Sequence, residues 1–321
     1  MMPLFPWRRP SPGPSGPPLP GAPPPGPGPL SPERIQADLD ALGRGEIPAA
    51  AAERLRQQAG RELPWSSSLS VNDWALSRRL GFTPLGQVMG SSIYHTGWAY
   101  ASTWSSGELA APTQAAHAVR ELAIGRMGQE AALLGAHGVV DVRLTRRAYA
   151  WGANLTEFTA VGTAVRVDGA PPAARPFLAT VDGADFVKLM GAGYVPLGVA
   201  LGVSVVYLYT NWQAQWQEQS WVNQEMRQFT EATYAVRSFA MQRLQRDAAQ
   251  MGADGVMGYH TEMRVEKVEA GGGGADNERT DHILEFSCLG TAVGRMRTEG
   301  EAPRPVRTLL LDDADTTEEV P

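Results

Sequence analysis

Two residues of this chain are suited to hold a soft metal ion, and both lie towards its C-terminal end: His260 and Cys288. Imidazole and thiolate are ligands for zinc or copper(I). A turn centred on the stretch AGGGGADN (270–277) would fold its flanks into a hairpin and set His260 roughly opposite Cys288. Two ligands are too few, because a structural zinc site takes four. The remaining histidines (His95, His117, His137 and His282) fall in no HExxH or similar spacing, and a single cysteine leaves no CxxC. A slip of one residue in the hairpin would also turn the two side chains onto opposite faces. A half-buried pair within a sheet is therefore the favoured reading, a heavy-metal site the rival one, and no cofactor is expected.

Acid–base chemistry has its own candidates. Glu157 and Glu285 each precede a phenylalanine, Phe158 or Phe286, in matching segments, and Arg120 and Arg237 match on two helical segments. A carboxylate at a fixed place in both halves could act as a general acid or base. It needs a nucleophile, a second catalytic group or a phosphate-binding loop beside it, and Ser91, Ser92 and Thr103 form no triad pattern. Buried charges need partners, so arginine and carboxylate are read as repeated polar groups that bond at an interface, and the chain is read as a non-enzyme. Five tryptophans, Trp98, Trp104, Trp212, Trp216 and Trp221, sit among glutamine and serine in the stretches TGWAYASTW and TNWQAQWQEQSW. Such residues anchor protein interfaces, and they are taken as candidate inter-module contacts or the lining of a ligand groove.

The elements that must position these residues occur twice. Residues 120–142, RELAIGRMGQEAALLGAHGVVDV, return as residues 237–259, RSFAMQRLQRDAAQMGADGVMGY. Apolar residues Val119, Leu122, Ala123, Met127, Ala131 and Leu134 follow helical spacing, and Val236, Phe239, Ala240, Leu244, Ala248 and Met251 repeat it. Arg126 with Glu130, and Arg243 with Asp247, stand at i,i+4 and read as surface pairs. Gly135 and Gly252 then take the place where a helix ends in left-handed backbone, and an apolar strand follows. Upstream, Ser70 and Thr180 read as helix caps, with Asp73 matching Asp185 and Trp74 matching Phe186. The stretch GFTPLG from Gly81 returns as GYVPLG from Gly193, and EF…GTAV from Glu157 returns from Glu285. Each repeat thus reads as short helix, strand, aromatic loop, long helix, strand, hairpin and strand. The fold class is α+β, two tandem two-layer modules in which a long helix covers a small sheet.

The rest of the chain is organised around those modules. Residues 1–30 are dominated by proline and glycine and read as a disordered leader, a possible ligand for a protein partner's aromatic groove. Residues 31–62 read as a short helical hairpin in which Leu39, Leu42 and Ile47 meet Leu55. Repeat 1 spans 66–168, repeat 2 spans 177–296, and 297–321 form an acidic tail. The uncharged stretch 189–217 is broken by Pro196 and glycines and reads as a buried strand, not a membrane span. A net charge of −6 argues against nonspecific binding to nucleic acid or to an anionic membrane. The N-terminal residues lack the apolar core of a signal peptide, so a cytoplasmic protein is expected.

The ordered motifs G-[FY]-x-P-L-G-x-x-x-G, a long helix ending LGAHGVV, and EF-x-x-x-GTAV resemble the YbjQ-like heavy-metal-binding domain family, in its tandem actinobacterial form. The resemblance covers residues 70–295. It implies a dodecin-like module that assembles into homo-oligomeric rings, and its family name implies a metal. The function expected on these grounds is an oligomeric scaffold or binding module, with a heavy-metal or small-molecule sensor or store as the alternative.

Overall fold

In the computed structural model, residues 31–60, 64–95, 105–148, 155–171, 173, 175–211, 221, 223–271 and 278–296 are described. The leader, the acidic tail and the tip of the last hairpin lie outside them. Helix α1 (Pro32–Gly43) starts on Ser31, whose Oγ accepts a hydrogen bond from the Arg34 amide, with proline inside the first turn. Helix α2 (Ala49–Ala59) follows the turn. The expected packing of this hairpin is corrected at Leu39, which is 56% exposed; Leu55 is fully buried in the core of repeat 1 with Val88 and Met127, and Ile47 packs against the same cluster. A hairpin this small cannot exclude water from its own apolar residues, so it lends them to the larger core.

Repeat 1 runs α3 (Val71–Arg79), β1 (Phe82–His95), β2 (Gly107–Glu108), α4 (Ala110–Leu133), β3 (Gly138–Ala148) and β4 (Leu155–Val167). Repeat 2 runs β5 (Phe177–Leu178), α5 (Gly183–Gly191), β6 (Tyr194–Leu208), α6 (Arg227–Gln250), β7 (Gly255–Gly271) and β8 (Glu278–Arg295). Ser70 caps α3 in a capping box with Asp73. The cap assigned to Thr180 is corrected: Asp182 caps α5 by accepting from the Asp185 amide, and Asp182 stands in register with Ser70. Gly135 (φ 67°) and Gly252 (φ 74°) take the left-handed turn expected after the long helices. The uncharged stretch becomes strand β6, and among the described residues no helix is long and apolar enough to cross a membrane.

Two four-stranded sheets result, ordered β1-β4-β3-β5 and β2-β6-β8-β7. In each, the last two strands of the repeat form an antiparallel hairpin, and the first strand pairs with the last. The fourth strand of each sheet comes from the other repeat. Gly107 and Glu108 pair with Tyr207 and Val206 at the edge of β6, and Phe177 and Leu178 run parallel to Gly138 and Val139 at the edge of β3. The repeats therefore exchange edge strands, which satisfies backbone groups that an edge leaves open.

The long helices cross their sheets at a matching pair of glycines. A Cβ on Gly90 would lie 2.2 Å from the Ala123 carbonyl oxygen, and one on Gly202 would lie 2.1 Å from that of Ala240. Backbone stands on the other side of each contact, so nothing can give way cheaply. Gly202→Ala is expected to destabilise the chain by about 1–3 kcal/mol through overpacking, read as a lower urea midpoint with unchanged slope. Gly255→Ala, which has open space at its Cβ, is the comparison that should leave the midpoint nearly unmoved.

Candidate functional site

A buried cluster of charged side chains lies where the two repeats meet. Arg120, on α4 of repeat 1, is 1% exposed and its Nη2 donates to Glu285 Oε1, on β8 of repeat 2, at 2.5 Å. Its Nη1 donates to the Ala116 carbonyl at 2.7 Å, and its guanidinium lies 4.5 Å from the Phe158 ring centre. Arg146 on β3 reaches the second oxygen of Glu285 at 3.4 Å. Burial by itself would raise the Glu285 pKa, but the charges of Arg120 and Arg146 outweigh it and hold the carboxyl below its ordinary value.

Of the four repeated polar residues, the structure brings two together, and across the repeats. Arg237 is exposed, 5.9 Å over the Phe286 ring, in the place that Arg120 takes over Phe158. Glu157 is half-buried on β4, opposite Ile93 and Arg147. The internal repeat placed all four, the arginines on helices and the glutamates on strands, but only the docking of one repeat on the other could select which of them bury.

A second link was missed. Glu108, in β2, receives two hydrogen bonds from Arg243 of α6, at 2.6 and 2.9 Å, and one from Ser204 of β6 at 2.6 Å. Burial would raise its pKa; the bonds from Arg243 and Ser204 outweigh it and keep the carboxyl ionised below its usual range. The sequence held a signal for it, since Glu108 and Thr113 return as Glu225 and Thr230 in register with the helix repeat. The reading of Arg126 and Glu130 as a surface pair is corrected. They are 8% and 3% exposed, and they bond other groups: Arg126 donates to the Ser91 and Leu42 carbonyls, and Glu130 accepts from Arg54 and the Met89 amide. Burial raises the Glu130 pKa, and the Met89 amide and Arg54 offset part of that.

The expected opposition of His260 and Cys288 is also corrected. His260 pairs with Leu289 and Thr261 with Cys288, because a bulge between Met257 and His260 shifts the register. The thiol is 1% exposed in the core, donates to the Gly202 carbonyl, and burial pushes its pKa up to about 11. A thiol held protonated is a poor metal ligand. His260 points the other way, into a hollow of about 690 Å³ between β3 and β7 that Arg143, Arg146 and Glu262 also line. Among the described residues no group of three His, Cys, Asp or Glu side chains could hold a metal ion. Trp98, Trp104, Trp212 and Trp216 lie outside the described residues, and Trp221 is fully exposed.

A duplicated module is what the family comparison recognises as well. The family described as "Putative heavy-metal-binding" (YbjQ) matches residues 67–168 and 203–295. The chain belongs to the YbjQ-like family. Among curated proteins it is similar to the "Encapsulin nanocompartment protein Rv1762c" of Mycobacterium tuberculosis (strain ATCC 25618 / H37Rv). The two are 35% identical over 267 residues, covering 82% of this chain and 96% of that protein. No solved structure matches. The metal in the YbjQ-like family's description does not fit the donors described above.

The joint yields a test of its energetics. Arg120→Ala leaves Glu285 buried with Arg146 alone and is expected to cost up to about 3–5 kcal/mol, measured by urea denaturation. The pH dependence has a defined sign. Because the folded pKa of Glu285 lies below its usual 4.5, the folded state binds fewer protons. Its stabilisation is present above that value and is lost as pH falls through the folded pKa. Glu285→Gln should lower the melting temperature at pH 7 and flatten the decline in acid relative to the parent chain.

Proposed function

We propose that this chain is a non-enzymatic scaffold that self-associates through its YbjQ-like modules and serves as a component of an encapsulin-type nanocompartment. The observation that carries the reading is the exchange of edge strands and buried charges between the repeats. The module is built to be completed by another module, and two buried ionic groups, Arg120 and Glu285, pair across that contact. The relative in M. tuberculosis adds the setting, since its name places it with a nanocompartment. Ring assembly and a protein partner for the proline-rich leader belong to the same reading.

A heavy-metal or small-molecule sensor or store is the rival reading, for which the family description supplies only heavy-metal binding, and no observation on the donor residues favours it. Native mass spectrometry of protein purified without chelator separates the two. A multimer of defined stoichiometry at the mass of the bare chain is the expected result. Monomer alone would end the scaffold reading, and stoichiometric extra mass removed by a chelator would establish the metal reading in its place.

A further inference from the structure

The hollow of about 690 Å³ lined by His260 lies on the seam between the repeats, and its size suits a small organic molecule. Residues of two strand bulges at equivalent places form part of its wall. β3 bulges between Val140 and Arg143, and β7 between Met257 and His260. The turn from β5 into α5 is pinned between them. The Asp141 amide donates to the Val181 carbonyl at 2.8 Å, and Thr180 Oγ1 donates to the Gly258 carbonyl at 2.8 Å. The walls are therefore shaped by hydrogen bonds within the chain itself.

Most of the charge on those walls is already engaged. Asp141, with left-handed backbone (φ 56°) in the place of Gly258 (φ 57°), accepts from Arg143 Nε at 2.9 Å. Asp182 caps α5 through the Asp185 amide, and Asp185 accepts from Lys188 at 2.9 Å. Glu262, on β7, is exposed to water. Arg146 differs from all of these. Its side chain is 11% exposed, yet its one hydrogen bond among the described residues is the 3.4 Å contact with Glu285, which Arg120 already holds at 2.5 Å. Two guanidiniums thus share one carboxylate, and one positive charge is left over beside the hollow. Burial lowers the Arg146 pKa, and Glu285 offsets part of that.

The duplicated fold does not call for a cation at this place. Arg146 stands opposite Phe158 as Met263 stands opposite Phe286, and Met263 packs against the core of repeat 2. Ser287 is a second unmet group. It is nine-tenths buried, lines the hollow, and makes no side-chain hydrogen bond among the described residues. It lies two residues along β8 from Glu285, on the same face and about 7 Å away. A carboxylate set on Arg146 beside Glu285 therefore comes within reach of the Ser287 hydroxyl. Next to these donors the lining is apolar, at Leu144, Leu201 and Leu289.

We propose that this hollow binds a small organic monoanion, a carboxylate on an apolar body, with the carboxylate on Arg146 and Ser287 and the body on Leu144, Leu201 and Leu289. Guanidinium and carboxylate match as a planar pair of parallel hydrogen bonds. One surplus positive charge suits one negative charge, and a dianion such as phosphate would face the repulsion of Glu285 and Glu262 as well. The ligand touches β3 of repeat 1 and β8 of repeat 2 at once, so its binding also holds the repeats together. The site lies within one chain and does not rest on self-association.

The test is isothermal titration calorimetry of the full chain with benzoate, run in parallel with benzamide, its neutral counterpart, and with inorganic phosphate. Benzoate should bind as one molecule per chain, raise the melting temperature, and bind at least about tenfold more tightly than either of the others. Ser287→Ala should weaken benzoate by about tenfold, through loss of a hydrogen bond to a charged group. Arg146→Met, which copies Met263 of repeat 2, should abolish binding while circular dichroism shows the fold retained. Glu262→Gln, which removes an opposing charge, should strengthen binding severalfold. If Arg146→Met does not fold, the Ser287 and Glu262 variants, with effects of opposite sign, carry the test. No saturable benzoate binding up to about 10 mM, equal binding of benzamide, or tighter binding of phosphate would each overturn the proposal. Benzoate affinity unchanged by the substitutions would place the ligand elsewhere and overturn it too.

Discussion

A small antiparallel sheet that does not close on itself leaves two open edges, and the rest of this molecule is arranged around that constraint. Each repeat supplies three long strands and a covering helix, then borrows its fourth strand from the other repeat. The borrowed strands are only two residues long, so their backbone bonds contribute little. Their consequence is positional. β2 brings Glu108 onto Arg243 and leads into α4, and α4 lays Arg120 against Glu285. The exchange converts two marginal layers into one body with a shared core, in which Leu201, Val203 and Leu289 of repeat 2 join the cluster built on Val119, Ala123 and Met127 of repeat 1.

Buried charge at that junction acts on arrangement more than on net stability. Desolvating an ion pair offsets most of its Coulomb attraction, and Glu285 gains from a second cation, Arg146, while Arg120 gains from the face of Phe158. An unpaired guanidinium or carboxylate at this depth would be strongly unfavourable. Alternative dockings that separate the two are therefore excluded, and the pair fixes the angle at which the repeats meet. Glu108 with Arg243 does the same just before the N-terminus of α4, so two charge links and two strand exchanges define one geometry.

Duplication followed by asymmetric burial also accounts for the two kinds of strand. β1 alternates buried and exposed residues along its second half, as a sheet with one wet face must, while its counterpart β6 is buried on both faces from Ala200 to Leu208. The sequence had already responded to that difference. Positions occupied by Gln87, Ser91 and His95 in repeat 1 are Val199, Val203 and Tyr207 in repeat 2. The uncharged stretch that could be mistaken for a membrane segment is the strand that lies between two helices.

The sequence by itself determined the duplicated helix–turn–strand unit, the α+β class and the family, because these rest on local periodicity and on glycines whose backbone angles other residues strain to adopt. It determined the antiparallel closing hairpins for the same reason. Register was decided only in three dimensions: a bulge before His260, set by the positive φ of Gly258, turned that imidazole away from Cys288. Partner choice was decided there too. Arg120 and Arg237 are interchangeable along the chain, as are Glu157 and Glu285, and one member of each pair was buried by the contact between repeats. Spacing along a helix states which face a charge occupies; which surface arrives to cover that face depends on packing between segments more than 150 residues apart, as the 165-residue separation of Arg120 and Glu285 shows.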